Sequence, residues 1–195
     1  MSDLRILCLH GYHGNAAVLE RQMSALTSGL DAGIEFVHVD APSLAENDFG
    51  WWHSPARGWE RTRAWAVAMF GSQPRFDGVF GFSQGAALTG LLAGMREIGH
   101  DGVTFDFAVL VGGFVNDSPD LAELYRLPLS VPSVHVIGRA DGIIPPWMSH
   151  DLASRFKEPV IVEHPGGHII PGDRRVIEGI AAFLEQATGP RSRVF

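Results

Sequence analysis

Six short apolar runs recur along the chain, and the hydrophobic positions between them fall into helical spacing. The runs Leu4–Leu9, Glu35–Val39, Gly78–Phe82, Phe107–Val111, Ser133–Ile137 and Val160–Glu163 predict strands. Most are apolar at consecutive positions, as expected of strands covered on both faces. After the first run, Leu19, Met23, Leu26 and Leu30 follow the i, i+4, i+7, i+11 spacing of one buried helix face, in a helix that begins near Asn15. Val176, Ile180, Phe183 and Leu184 form the stripe of a last helix after Gly172, and further helices are predicted over Arg57–Phe70, Gln84–Ile98 and Trp147–Phe156. Strand–helix alternation over the whole length implies an α/β fold of about six mostly parallel strands with helices on both faces. No repeat or linker interrupts it, so a single domain over residues 1–187 is expected, with "TGPRSRVF" (188–195) as a frayed end.

Two connections are long for this architecture, Asp40 to Trp59 and Gly112 to Pro132. Long loops at the carboxyl ends of parallel strands are where such sheets build sites. The first loop carries Phe49, Trp51, Trp52 and Trp59, and the second carries Phe114, Leu121, Leu124 and Tyr125. Ile143, Ile144, Trp147 and Met148 follow the fifth run. Folded over one site, these residues make a mainly apolar pocket, with Trp51, Trp52, Phe114, Ile143 and Ile144 as the candidates to touch substrate. The competing reading is that they pack the loops onto the core.

Composition narrows the field. Hydrophobic residues make up 46% of the 195 and charged residues 19%, which suits a globular domain. The net charge is −7 without a basic stripe, which argues against a nucleic-acid partner. Cys8 is the only cysteine, so no intrachain disulfide forms, and it reads as a small core hydrophobe. The N-terminal apolar run is too short for a secretion signal, and no stretch approaches the ~20 residues that span a bilayer. No membrane span and a cytoplasmic location are therefore expected.

Candidate chemistry enters at "FDGVFGFSQGAALTG" (76–90). Gly81-Phe82-Ser83-Gln84-Gly85 is a G-x-S-x-G pattern, weak alone but here preceded by an apolar strand and followed by a helix-forming run. That strand–turn–helix context makes a nucleophile elbow, rather than a serine that merely caps a helix. A serine hydroxyl needs a base, and in this class the chain order is Ser, acid, His. "HPGGHIIP" offers His168, past a Gly-Gly turn, which is favoured over His164 nearer the strand; His100 and His150 read as helix-surface residues. "SVHVIGRADGIIP" offers Asp141 as the acid that fixes the imidazole tautomer, with Asp117 as runner-up. The backbone N–H groups of Gln84 and of Tyr12, in "LHGYHGN", are the candidate oxyanion donors. His10 and His13 could be read as a metal pair, but no Asp, Glu or Cys cluster joins them in sequence, so neither metal nor cofactor is expected.

Taken in order, "LCLHGYHGNA", "VDAP", the "WW" pair, "FDGVFGFSQGAAL", "SVHVIGRADGIIP" and "HPGGHIIP" resemble the FSH family of serine hydrolases, a small α/β-hydrolase group. The family includes the ovarian-cancer-associated hydrolase and fungal thiohydrolases that release polyketides from their synthases. The resemblance runs along nearly the whole chain and implies an α/β-hydrolase fold with Ser83, Asp141 and His168 as the triad. His13-Gly14 stands where bulkier polar residues are common in the family, so substrate identity does not transfer. Acyl-protein thioesterases and carboxylesterases share the "GFSQG" element. The expected function is hydrolysis of an ester or thioester of an apolar acyl group, small-molecule or carrier-bound, through an acyl-enzyme. A non-catalytic hydrolase-fold binding protein, and an acyltransferase or cyclase using the same triad, are the alternatives.

Overall fold

Each of the six apolar runs forms a strand: β1 (Leu4–Leu9), β2 (Ile34–Val39), β3 (Gly78–Phe82), β4 (Phe107–Val111), β5 (Ser133–Gly138) and β6 (Val160–His164). This is a computed structural model that describes residues 4–43, 50–72, 74–99 and 102–189. Phe49, His100 and residues 190–195 lie outside the described residues. All six strands pair in parallel in one sheet of order β2-β1-β3-β4-β5-β6. Helices α1 (Ala16–Thr27), α2 (Trp59–Phe70), α3 (Gln84–Glu97), α4 (Pro146–Ser154) and α5 (Arg174–Thr188) connect or follow them.

Side chains of a strand alternate between faces, and here the alternation sorts two cores. Ile6 and Cys8, Phe80 and Phe82, and Phe107, Val109 and Val111 pack with Leu19, Met23 and Leu26 of α1 and Val176, Ile180 and Phe183 of α5. Leu7 and Leu9, Val79, Ala108 and Leu110 pack on the other side with α2, α3 and Leu152 of α4. Asn15 caps α1 by accepting the Val18 N–H at 2.9 Å, and Asp173 caps α5 through Val176 N–H at 3.2 Å. No helix among the described residues is long and apolar enough to cross a membrane.

Element ends shift from the sequence reading for local reasons. Helix α2 starts at Trp59, not Arg57, because Gly58 takes φ 91° and Arg57 O accepts the His53 N–H at 2.8 Å. Helix α4 starts at Pro146, where the missing N–H of proline costs nothing in a first turn. The second long loop is not irregular throughout. Pro119–Tyr125 forms a 3-10 helix that buries Leu121, Leu124 and Tyr125 in the α3-side core, so those three hold the loop down.

The chain reverses direction across the sheet between β1 and β3: β1 leads outward to β2, and the chain then returns past β1 to β3. The crevice at the carboxyl ends of those two strands is the switch point where open α/β sheets bind ligands. The turn after β1 begins at His10 and the turn after β3 at Ser83, so both empty into that crevice.

Four histidines are held toward the neutral form by burial: His10, His38, His164 and, most strongly, His135, whose pKa falls to about 3. The unfolded chain protonates its histidines near pH 6.5, so below that value it takes up protons that the folded chain refuses. Stability is therefore expected to fall as pH drops from about 6.5, by about 1.4 kcal/mol per pH unit for His135 alone. His135→Phe keeps a ring against Phe156, now 4.9 Å away edge-on, and removes the titration. Urea melts should show the variant losing about 2 kcal/mol less than wild type between pH 7.5 and pH 5. Equal losses would show that His135 does not link folding to pH.

Candidate active site

Ser83 sits between β3 and α3 at φ 57°, ψ −118°, a positive φ that L-residues rarely adopt. The surrounding structure holds it there: its N–H donates to Val111 O at 2.9 Å and its carbonyl accepts the Ala87 N–H at 3.0 Å. The turn is possible only because its flanks lack side chains. A Cβ on Gly81 would overlap the Gly85 carbonyl, and a Cβ on Gly85 would overlap the Leu9 carbonyl. The elbow thus presses β3, α3 and the end of β1 into backbone contact, with the Ser83 hydroxyl lifted above the sheet edge.

His168 and Asp141 come to it from the ends of β6 and β5. His168 Nε2 lies 2.8 Å from Ser83 Oγ, and His168 Nδ1 lies 2.6 Å from Asp141 Oδ2. The Asp141 side chain is only 3% exposed and that of His168 11%. The other Asp141 oxygen, Oδ1, accepts the N–H groups of Ile143 and Ile144, both at 2.9 Å. A carboxylate can only accept, so Nδ1 of His168 bears the hydrogen and Nε2 offers its lone pair to the Ser83 hydroxyl. The His168 ring rests on Phe82, with centroids 4.9 Å apart, and Gly112, at φ 57°, clears room beside it: a Cβ there would meet His168 Cε1 at 3.1 Å. The "HPGGH" turn is held by β5, where Arg139 and Ala140 donate to the carbonyls of His164 and Gly166 at 2.9 and 3.1 Å.

The two expected oxyanion donors, the backbone N–H groups of Gln84 and Tyr12, belong to the turns after β3 and β1. Gln84 is the first residue of α3, so its N–H has no acceptor within the helix. The β1 turn lies against Ser83, close enough that a Cβ on Gly11 would sit 3.2 Å from Ser83 Cβ, and Tyr12 follows it.

The chain matches the serine hydrolase (FSH1) family over residues 1–180. It is 35% identical to Esterase OVCA2 of Xenopus tropicalis, over 86% of each chain. It is 31% identical to Esterase OVCA2 of Bos taurus, over 94% of this chain and 96% of the relative. The chain belongs to the FSH1 family of serine hydrolases. Among solved structures, acyl-protein thioesterase 2 of Zea mays superposes with a TM-score of 0.70 at 20% identity, covering 95% of this chain and 94% of that one. Est1E of Butyrivibrio proteoclasticus, with ferulic acid bound, superposes with a TM-score of 0.65 at 16% identity over 95% and 89%. These likenesses establish the α/β-hydrolase fold.

In this family member the side chain of Gln84 has a second task that its sequence position does not advertise. Its Oε1 accepts the Trp51 N–H at 2.9 Å and its Nε2 donates to Trp52 O at 2.8 Å, clamping the first long loop onto the elbow helix. Thr62 of α2 also donates to Trp51 O. The indole of Trp51 is 1% exposed, lies 5.0 Å from Trp65 and donates from Nε1 to His10 O at 2.8 Å. Trp52 is buried as well. Both tryptophans therefore pack the loop on the α3-side core. Phe114 and Ile144 are half-buried and Ile143 is exposed, so these three keep surface available.

The alternatives are elsewhere. His164 is buried at the end of β6, where its Nδ1 accepts the Gly166 N–H at 3.2 Å and so shapes the turn that presents His168. Asp117 is exposed, and the carboxylate that meets His168 is Asp141. Both ring nitrogens of His10 are engaged, at 2.8 Å from Gly11 O and 3.1 Å from Ala41 N, while His13 is exposed. Among the described residues no group of three or more His, Cys, Asp or Glu is arranged to hold a metal.

Proposed function

We propose that this protein hydrolyses a carboxylic ester or thioester through an acyl-enzyme on Ser83. The observation that carries the proposal is the unbroken line from Ser83 Oγ through His168 to Asp141, at 2.8 and 2.6 Å. The esterase relatives support the same reaction class. His168 Nε2 takes the Ser83 proton as Oγ attacks the acyl carbon, and Asp141 stabilises the imidazolium that forms. The N–H groups of Gln84 and Tyr12 receive the negative charge on the carbonyl oxygen. His168 then gives its proton to the departing alcohol or thiol. Water, giving its proton to the same nitrogen, attacks the acyl carbon, and His168 passes that proton to Ser83 Oγ as the acyl-enzyme bond breaks. The test is a fluorophosphonate: intact mass and peptide mapping should place one adduct on Ser83. An unlabelled protein would instead be a hydrolase-fold binding protein.

The acyl group is apolar and longer than acetyl. Phe114 follows the Gly112-Gly113 turn, which is packed on His168 and Ala86, and Ile144 follows the carboxylate loop. Each buried methylene contributes about 0.8 kcal/mol, and about 1.4 kcal/mol is tenfold in rate. Four extra methylenes therefore raise kcat/KM by at most ~200-fold, less what is lost in ordering the chain. Across C2 to C10 esters, Phe114→Ala and Ile144→Ala are expected to flatten this rise while sparing acetyl esters. Trp52→Ala is expected to lower stability by about 3 kcal/mol and to slow all esters alike. Wild-type activity that falls steadily from acetyl upward would end the apolar-acyl proposal.

A further inference from the structure

The peptide between Gly11 and Tyr12 has two working ends. Its N–H is the Tyr12 donor, and its carbonyl is Gly11 O, which points the opposite way because the peptide is planar and trans. That carbonyl is gripped from behind. His10 Nδ1 lies 2.8 Å from it, and the Gly14 N–H donates to it at 3.0 Å. The imidazole has no choice of tautomer. The Ala41 N–H, which can only donate, meets His10 Nε2 at 3.1 Å, so Nε2 carries the lone pair and Nδ1 the hydrogen. The ring is fully buried, and desolvation disfavours its protonation against smaller opposing effects of Gly11 O and Asp40.

The ring itself is packed against Trp51. Its centroid lies 4.9 Å from that of Trp51, and Trp51 holds the His10 carbonyl through Nε1. Trp51 is in turn held by the Gln84 side chain. The circuit therefore starts and ends at the two oxyanion donors: Gln84 at one end and the Gly11–Tyr12 peptide at the other. Two hydrogen bonds on one carbonyl also polarise its amide and strengthen the N–H at the far end.

We propose that His10 is a positioning residue of the oxyanion hole: its Nδ1–H fixes the Gly11 carbonyl so that the Tyr12 N–H faces the oxygen of the tetrahedral intermediate. This rests on reading Ser83 as the nucleophile and the Tyr12 N–H as a donor. Removing an oxyanion donor outright costs 10²–10³ in rate elsewhere, and a displaced donor costs a fraction of that.

Two substitutions separate the functions of the ring. His10→Asn keeps a donor near the Nδ1 position and loses the acceptor for Ala41. His10→Gln reaches the Nε2 position, keeps that acceptor and loses the donor to Gly11. With p-nitrophenyl butyrate, His10→Gln is expected to lower kcat by roughly 10- to 100-fold with KM within about threefold of wild type. It should weaken an alkyl trifluoromethyl ketone, which forms a tetrahedral adduct on Ser83, by the same factor. His10→Asn should recover most of both losses. Unchanged ketone affinity in His10→Gln, or equal impairment of the two variants, would overturn the inference. If Ser83→Ala retained turnover and ketone binding, the underlying nucleophile reading would fall instead, whatever the His10 variants did. Should either His10 variant fail to fold, nitrogen-15 NMR of histidine-labelled wild type decides: an Nδ1–H tautomer whose signal shifts on ketone binding supports the role, and an Nε2–H tautomer excludes it.

Discussion

The Ser83→Ala protein is expected to fold like wild type and to lose turnover by roughly six orders of magnitude, the scale seen when a triad nucleophile is removed. Folding should survive because alanine has the same Cβ at the same φ of 57°, and the elbow depends on Gly81 and Gly85, not on the hydroxyl. The hydroxyl's partner is His168 Nε2, which stays anchored through Nδ1 to Asp141. Activity should collapse because no acyl-enzyme can form. The donors at Gln84 and Tyr12 would remain, so a residual rate above background is expected from them alone. Circular dichroism, a thermal melt and kcat on a butyrate ester check both halves. Turnover within about a hundredfold of wild type, in protein free of contaminating esterase, would place the nucleophile elsewhere.

The inner strands of the sheet were readable in the sequence because they are buried on both faces. In β3 and β4 every residue is buried, and a continuous apolar run leaves only a choice of ends. That Ser83, Asp141 and His168 would meet was readable because each follows a strand at the same edge of a parallel sheet, where chain order alone restricts the candidates. The tryptophans were not. Periodicity says that Trp51 and Trp52 are apolar and in a loop, but whether they face a substrate or the core is decided by Gln84, more than thirty residues away in sequence. The same contact hid the second use of Gln84, since a glutamine after the nucleophile draws notice only for its backbone N–H. His10 was seen only as half of an unconvincing metal pair. Its partners, Gly11 and Ala41, are backbone groups, and backbone groups leave no mark in a sequence.

Asp141→Asn should cripple catalysis, though less than loss of Ser83 does, and the reason lies in the hydrogen bonds around the carboxylate. The N–H groups of Ile143 and Ile144 both donate to Oδ1, each at 2.9 Å. An asparagine there must keep its oxygen on those two donors, which turns its NH₂ toward His168 Nδ1. That nitrogen can then no longer donate; it has to accept. The ring hydrogen moves to Nε2, where it points at Ser83 Oγ and removes the lone pair that should take the serine proton. The wrong tautomer lowers kcat by about 10⁴-fold in the comparable substitution of another triad, and a similar loss is expected here, with KM little changed. Stability should hold, because the amide oxygen preserves both turn hydrogen bonds and removes a buried charge. Asp117→Asn, at an exposed position in the loop after β4, should cost less than about threefold, since a surface substitution away from packed or bonded groups does little. Both variants can be compared by kcat, KM and thermal melts under one set of conditions. If Asp117→Asn were the crippled protein and Asp141→Asn the active one, the acid would belong to the loop after β4, and the 2.6 Å contact at His168 would have to be replaced in the working enzyme.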